Sequence, residues 1–82
     1  MIFYVYMLKG VNNKITKTYV GYTNNLKLRL KKHNSGIGAK STRGYKWKVI
    51  YKKRFYDKRL AMSFEYKLKK DQKRRRYLLN IS

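Results

Sequence analysis

The fold of this chain is decided by two stretches near its start, IFYVYML at residues 2–8 and TYVGY at residues 18–22. Both are rich in β-branched and aromatic residues, which is typical of β-strands. The segment between them, from Gly10 to Lys14, contains two asparagines and favours a turn. We therefore predict an antiparallel hairpin with a fairly long loop. Because both stretches carry few charges, we expect the two strands to lie centrally in a sheet.

The segment after the hairpin, residues 26–34, fits either a strand or a helix. Its three leucines alternate as they would in a strand, whereas Leu26, Leu30 and His33 fall at helical spacing. Three N-cap candidates directly before the segment and a glycine shortly after it favour the helix.

The second half of the chain predicts a strand and two helices. A glycine-rich basic loop spans residues 35–46, and a strand follows at residues 47–51, with an extension to residue 55 left open. The two helices are predicted at residues 58–70 and 73–79. Asp57 and Asp71 are N-cap candidates for the two helices, and Ala61, Phe64 and Leu68 mark the buried stripe of the first. The order ββαβαα predicts one α+β domain over residues 1–82, a three-stranded antiparallel sheet flanked by helices. Residues 71–82 form its basic C-terminal helix or tail.

Net charge is the most unusual property of the chain. Its 82 residues include 23 Lys or Arg against 3 Asp or Glu, a formal charge of +20. This length suits one small domain. The hydrophobic content of 43% and aromatic content of 16% argue against a disordered basic tail. So large a positive charge indicates a polyanionic partner, nucleic acid first and an anionic membrane surface second.

Several chemistries are excluded by composition. The absence of cysteine excludes a disulfide framework, a cysteine zinc site and a thiol nucleophile. The apolar start, residues 1–8, is too short for a membrane span and lacks the features of a signal peptide. The acids, Asp57, Glu65 and Asp71, are too few for the clustered carboxylates of a two-metal nuclease. If the protein is an enzyme, we expect one divalent ion held by one carboxylate.

Two helical segments carry polar residues that could belong to a site. Arg29 and His33 are four residues apart, so their side chains share a helix face. Their structural interpretation is a solvated basic edge with a partly buried histidine. Glu65 lies beside the buried stripe of its helix, where it could form a salt bridge or, as a hard oxygen donor, bind Mg²⁺ or Mn²⁺.

Tyrosines and basic residues supply the remaining candidates. Tyr4 and Tyr6 share one face of their strand. Tyr19 precedes Gly21, and a glycine in a strand lets another backbone or a phosphate approach closely. Half-buried packing with a wet hydroxyl is the structural alternative for such tyrosines. The basic residues expected to contact a duplex backbone, or simply to be solvated, are Lys40, Arg43, Lys46, Arg74, Arg75 and Arg76.

Taken in order, these residues resemble the GIY-YIG nuclease domain over nearly the whole chain. The two name-giving motifs are represented by Tyr4-Val5-Tyr6 and Tyr19-Val20-Gly21. Arg29 and His33 follow at the family's spacing, and Glu65 stands in the helix where the family carries its metal-binding glutamate. The sequences KHNSG at residues 32–36 and AKSTRG at residues 39–44 are similar to the small stand-alone branch of the family. That branch includes the nuclease domain of structure-selective endonucleases.

The sequence departs from the family pattern at two positions. Tyr4 replaces the glycine of the first motif, a change that the small branch tolerates. Tyr22 stands where some members have a lysine. Asn80 is a candidate for the asparagine that some members use beyond the glutamate.

The resemblance implies hydrolysis of DNA phosphodiesters with Mg²⁺ or Mn²⁺, in DNA repair or recombination. Glu65 would hold the ion and Arg29 would pair with the scissile phosphate, its planar fork suiting two oxygens. Tyr19 would accept or orient the proton of the attacking water, and Tyr6 would hydrogen-bond the water or phosphate. His33 would relay a proton or brace Tyr19; the sequence leaves both open.

Two other functions fit the composition. A non-catalytic nucleic-acid-binding module that keeps the nuclease fold would explain the charge equally well. A membrane-surface protein would need a basic amphipathic helix with large apolar residues opposite, and residues 66–79 offer few of these. We therefore expect a DNA partner, duplex or branched, no membrane partner, and a targeting function supplied by a further protein. The expected location is intracellular, cytoplasmic or nucleoid-associated.

Overall fold

The computed structural model describes residues 1–82 and contains three strands and three helices in the predicted order ββαβαα. The elements are β1 (Phe3–Asn12), β2 (Ile15–Thr23), α1 (Leu26–Asn34), β3 (Lys46–Phe55), α2 (Lys58–Lys70) and α3 (Gln72–Asn80). A single 3₁₀ turn, Lys40–Thr42, lies in the glycine-rich loop. The strands form one antiparallel sheet in the order β2-β1-β3. The predicted fold class is therefore confirmed.

The hairpin between β1 and β2 is tighter than the sequence suggested. Asn12 pairs with Ile15, so the turn has only two residues, and the prediction of a long loop was wrong. Asn13 adopts a left-handed conformation with φ 55°, which asparagine tolerates better than most residues. Gly10 belongs to the strand. A Cβ atom there would lie 2.6 Å from the ring of Trp47, so this glycine makes room for the indole.

β1 is the central strand, and both of its faces are covered. On one face Val5 and Met7 pack with Ala61 of α2 and Leu78 of α3. On the other face Tyr6, Leu8 and Trp47 form a second cluster beneath α1. The register between β1 and β3 shifts after Met7, where Ile50 is the extra residue of a bulge.

The helices begin where side-chain caps satisfy their first N–H groups. The Asn25 side chain accepts a hydrogen bond from the Leu28 N–H at 3.1 Å, which accounts for a helix rather than a strand over residues 26–34. Asp57 accepts from the Arg59 N–H at 2.7 Å, and Asp71 from the Arg74 N–H at 3.0 Å. Two of the three acids therefore serve as caps. None of the helices has the length and apolarity that crossing a membrane would require.

Candidate active site

Three aromatic side chains from three elements meet on the face of the sheet that α1 covers. Tyr6 comes from β1, Tyr19 from the neighbouring β2 and His33 from α1. The ring centroids of Tyr19 and His33 are 4.7 Å apart, and those of Tyr6 and His33 are 6.1 Å apart. The sheet register explains the meeting, because Tyr6 lies opposite Gly21 and thus diagonally across from Tyr19.

A chain of buried hydrogen bonds runs from Tyr6 to the glycine-rich loop. The Tyr6 hydroxyl lies 3.0 Å from His33 Nε2, and His33 Nδ1 lies 3.0 Å from Thr42 Oγ1. Thr42 donates its own proton to the Ala39 carbonyl at 2.8 Å. Because a hydroxyl has one proton, Thr42 must accept from His33 Nδ1–H, and Nε2 must accept from the Tyr6 hydroxyl.

The electrostatics of the cluster agree with this proton arrangement. Burial, and the nearby charge of Arg29, lower the pKa of His33, which favours the neutral imidazole. Burial also raises the pKa of Tyr6, despite an opposing interaction with Arg29. Tyr6 is only 1% exposed, so it stays protonated and is shielded from water. The resemblance implies that the Tyr6 hydroxyl hydrogen-bonds the attacking water or the phosphate; in the structure this hydroxyl hydrogen-bonds His33 Nε2 at 3.0 Å.

Arg29 lies one turn before His33 on α1, at the open side of the cluster. Its interaction with the Tyr6 hydroxyl, and more weakly with that of Tyr19, raises the pKa of Arg29 against the lowering effect of burial. The guanidinium is therefore a permanent positive charge beside both phenols. Tyr19 is half-buried, and its hydroxyl interacts with Arg29.

Two glycines make the close packing of the cluster possible. A Cβ atom on Gly21 would lie 2.6 Å from the Tyr6 hydroxyl oxygen and 3.1 Å from a ring carbon of Tyr19. A Cβ atom on Gly38 would lie 2.6 Å from His33 Nδ1. The glycine of the second motif is thus needed for side-chain packing inside the sheet face, and not for an unusual backbone conformation.

Glu65 is the one acid close to the cluster. Its negative charge adds to the rise in the pKa of Tyr6, after the larger effects of burial and of Tyr19. The Glu65 side chain is 17% exposed. Its only ion pair joins Glu65 Oε1 to Lys69 Nζ at 3.5 Å, and the Lys69 side chain is 51% exposed. No group of three or more acidic or histidine side chains forms a ready metal cage. One carboxylate suits Mg²⁺, which usually keeps several waters and binds one or two carboxylates together with substrate phosphates.

The remaining candidates are spread over the surface. Tyr4 is half-buried and lines a separate depression with Leu26 and Lys52. Asn80 is exposed in the last turn of α3, and its side chain makes no hydrogen bond. Neither contacts the tyrosine–histidine cluster. Five of the basic candidates are exposed: Lys40 and Arg43 at the 3₁₀ turn, Lys46 at the start of β3, and Arg74 and Arg76 on α3.

Sequence reasoning missed two residues that the structure connects to the site. Thr42 is fully buried and fixes the tautomer of His33, although it lies nine residues away across a loop. Lys69 pairs with Glu65, and the i,i+4 spacing on a helix could have revealed this contact.

The fold and these residues together define a small α+β domain with paired tyrosines on a hairpin, arginine and histidine on the next helix and glutamate on the helix after β3. Residues 2–78 match the GIY-YIG catalytic domain, and the chain belongs to this family. It is 48% identical over 68 residues to a UPF0213 protein of Clostridium perfringens, covering 82% of this chain and 70% of the relative.

Further relatives agree with this assignment. A UPF0213 protein of Oceanobacillus iheyensis is 46% identical over 67 residues, covering 80% of this chain and 74% of that protein. The solution NMR structure of a UPF0213 protein from Bacillus halodurans is similar over 100% of this chain and 86% of that one, with a TM-score of 0.55 and 36% identity. The resemblance to the GIY-YIG domain is therefore confirmed, and with it membership of a nuclease superfamily.

Proposed function

We propose that the protein is a metal-dependent endonuclease that hydrolyses DNA phosphodiester bonds with a single divalent ion. The observation that supports this most is the meeting of two tyrosines, a permanently charged arginine and a neutral histidine beside the one acid that caps no helix. Phosphoryl transfer needs little covalent chemistry from a protein and depends mainly on positioning and on electrostatic stabilisation of the phosphate oxygens. A cluster of phenols and a guanidinium can supply both.

Different exposure separates the roles of the two tyrosines. The proton of Tyr6 is donated to His33, and the side chain is almost fully buried, so Tyr6 positions the cluster. Tyr19 is half-buried with its hydroxyl next to Arg29, so it is the better group to orient the attacking water or accept its proton. His33 then acts through Tyr6 and through its ring contact with Tyr19, as a positioning residue.

Arg29 would bind the scissile phosphate directly, and Glu65 would hold the divalent ion. The planar guanidinium of Arg29 can donate two parallel hydrogen bonds to phosphate oxygens. Glu65 would hold Mg²⁺ or Mn²⁺, which when bound stabilises the negative charge that develops on the leaving oxygen. Lys40, Arg43 and Lys46 would bind the flanking backbone together with Arg75 and Arg76 of α3. A DNA substrate, duplex or branched, implies work in an intracellular, nucleoid-associated setting.

A plasmid-nicking assay with Mg²⁺ and with EDTA tests this function. Supercoiled DNA should be nicked only with the metal, and Glu65→Gln, which keeps the shape of the side chain, should abolish nicking. Arg29→Ala should lower the rate about 10²–10³-fold, the usual effect of losing one donor to a developing oxyanion.

Asp57→Asn is the matched control for Glu65→Gln, because Asp57 is an exposed acid that serves only as a helix cap. Asparagine caps helices about as well as aspartate, so folding and nicking should both be retained. Nicking by Glu65→Gln at the wild-type rate would contradict the metal-ligand assignment.

The alternative function is a DNA-binding module without hydrolysis. The formal charge of +20 favours it as much as it favours a nuclease, and a single carboxylate makes a sparse metal site. Tight, salt-dependent DNA binding by a protein that nicks no DNA with Mg²⁺ or Mn²⁺ would establish this alternative. A partner protein that supplies targeting would be compatible with either function.

A further inference from the structure

A basic groove lies along the outer edge of β2, on the side of the sheet covered by α2 and α3. Two shallow depressions of 180 and 190 Å³ share Thr18 and Arg75, so they form one continuous groove. Lys69 lines the first depression and Arg76 the second. No acidic side chain lines either one. We call these four residues, together with the β2 backbone at Tyr19, the β2-edge groove.

The groove adjoins two parts of the candidate active site. Tyr19, the proposed water-orienting residue, lies on the strand that forms its wall. On the opposite wall Lys69 pairs with Glu65, the proposed metal ligand. Whatever binds in the groove therefore lies next to the phosphate that Arg29 and Glu65 would hold.

Arg75 is built into the groove more firmly than the neighbouring basic residues. It is half-buried, and its Nε donates a hydrogen bond to the Leu68 carbonyl at 3.2 Å, across the junction of α2 and α3. An arginine has five N–H donors, so four remain for a ligand while the fork is held in place. Arg74, in contrast, is exposed and lines neither depression.

The chemistry of the groove fits a phosphodiester backbone. Lys69, Arg75 and Arg76 supply positive charge, and Thr18 can supply a hydroxyl donor. Because β2 is an edge strand, the N–H groups on its outer side have no partner in the sheet and add neutral donors. Phosphate oxygens accept from all of these group types.

We propose that the β2-edge groove binds a phosphate of the substrate strand adjacent to the phosphodiester held at Arg29 and Glu65. This inference rests on the proposed function for the position of the scissile phosphate, but not for the existence of the groove. It gives Arg75 and Lys69 a specific task, whereas the exposed cations contribute only to general attraction.

Equilibrium binding in EDTA tests the groove without any cleavage. With a fluorescent duplex at about 100 mM salt, Arg75→Ala should weaken binding roughly tenfold, the expected loss for a charged hydrogen-bonded contact. The slope of log K against log salt should become shallower by about 0.9, the value for one phosphate contact. Arg74→Ala is the matched control and should change affinity less than threefold.

A folding defect can be separated from a binding defect with a second variant. Arg75→Ala removes the hydrogen bond to Leu68, so its thermal stability has to be measured. Lys69→Met removes only an exposed ammonium group and should weaken DNA binding several-fold with the fold intact. Equal losses for Arg74→Ala and Arg75→Ala, or wild-type affinity in Lys69→Met, would overturn the proposal.

Two small ligands test whether the groove lies beside the active site. Thymidine 3′,5′-bisphosphate should bind more tightly than thymidine 5′-monophosphate in an NMR titration, and Arg75→Ala should remove the difference while Arg74→Ala keeps it. No difference in the wild-type protein would refute adjacency. If the groove behaves as expected in a protein that nicks no DNA, only the proposed nuclease function fails. If nicking occurs but Arg75→Ala has no effect, only the groove fails.

Discussion

Replacing Thr42 by valine should lower the free energy of unfolding by more than the small change in side-chain shape would explain. Valine has nearly the shape of threonine, and the site is fully buried, so packing changes little. The hydroxyl, however, accepts from His33 Nδ1–H at 3.0 Å and donates to the Ala39 carbonyl at 2.8 Å. It also accepts from the Ala39 N–H at 3.3 Å. Valine leaves His33 Nδ1–H and the Ala39 N–H without an acceptor, whereas the Ala39 carbonyl keeps its bond from the Thr42 N–H at 3.1 Å.

The expected cost follows from burial. Leaving a buried donor or acceptor unsatisfied costs about 1–3 kcal/mol, and the imidazole N–H of His33 is fully buried. The N–H of Ala39 belongs to a half-buried residue and can recover some hydration, so its loss adds less. We expect Thr42→Val to lower the free energy of unfolding by about 2–4 kcal/mol, which is a large share of the stability of a small domain.

Urea denaturation measures this cost, with Thr42→Ser as the matched control. Serine keeps the hydroxyl and loses one methyl group, so it should cost about 1 kcal/mol. The ¹⁵N chemical shifts of His33 supply an independent check, because they should show a proton on Nδ1 and none on Nε2. Equal destabilisation by valine and serine, or a proton on Nε2 in the neutral wild-type ring, would refute the hydrogen-bond chain.

Three more predictions concern the packing, pH dependence and metal binding of the same site. Gly21→Ala should lower the free energy of unfolding by about 1–3 kcal/mol through overpacking against Tyr6, and thermal denaturation should show partial rescue in the double variant with Tyr6→Phe, which lacks the clashing oxygen. The pKa of His33 is lowered in the folded protein, so the unfolded chain binds more protons at low pH. The free energy of unfolding should therefore fall as the pH drops below about 6.5. A difference in stability between wild type and His33→Gln that does not change with pH would contradict this. Lys69→Met should raise the Mn²⁺ affinity of the DNA-free protein about twofold, as expected for removing an exposed i,i+4 partner of Glu65. Electron paramagnetic resonance measures that affinity, and unchanged binding would show that the lysine does not compete with the metal.

Local signals in the sequence were enough to predict the elements and their order. The cap at Asn25 and the caps at Asp57 and Asp71 mark helix starts, and their hydrogen bonds are formed within three residues. The buried stripe of α2 likewise depends on spacing along one helix. Ala61 and Leu68 are fully buried there as predicted, and Phe64 packs against the same cluster.

Features that depend on contacts across the fold could not be predicted from local patterns. Gly10 falls in the segment for which two asparagines predict a turn, whereas its actual constraint is the ring of Trp47 on the neighbouring strand. Thr42 has no local signature at all, since its importance comes from His33 on another element. The difference between Tyr6 and Tyr19 is also tertiary: Tyr6 lies on the central strand with His33 against its hydroxyl, whereas Tyr19 lies on the edge strand β2.

The three acids divide into structural and available carboxylates for a physical reason. Asp57 and Asp71 sit at helix N-termini, where they accept hydrogen bonds from backbone N–H groups and interact favourably with the helix dipole. Glu65 lies within α2, where no backbone N–H is free to bond it, and its one partner is the exposed Lys69. Exposed i,i+4 ion pairs contribute only about 0.3–0.5 kcal/mol to stability, so Glu65 can leave Lys69 for a divalent cation with a small loss of free energy. In a chain with 23 basic residues, a weakly held carboxylate that caps no helix is the group that a divalent ion would most easily recruit under the proposed function.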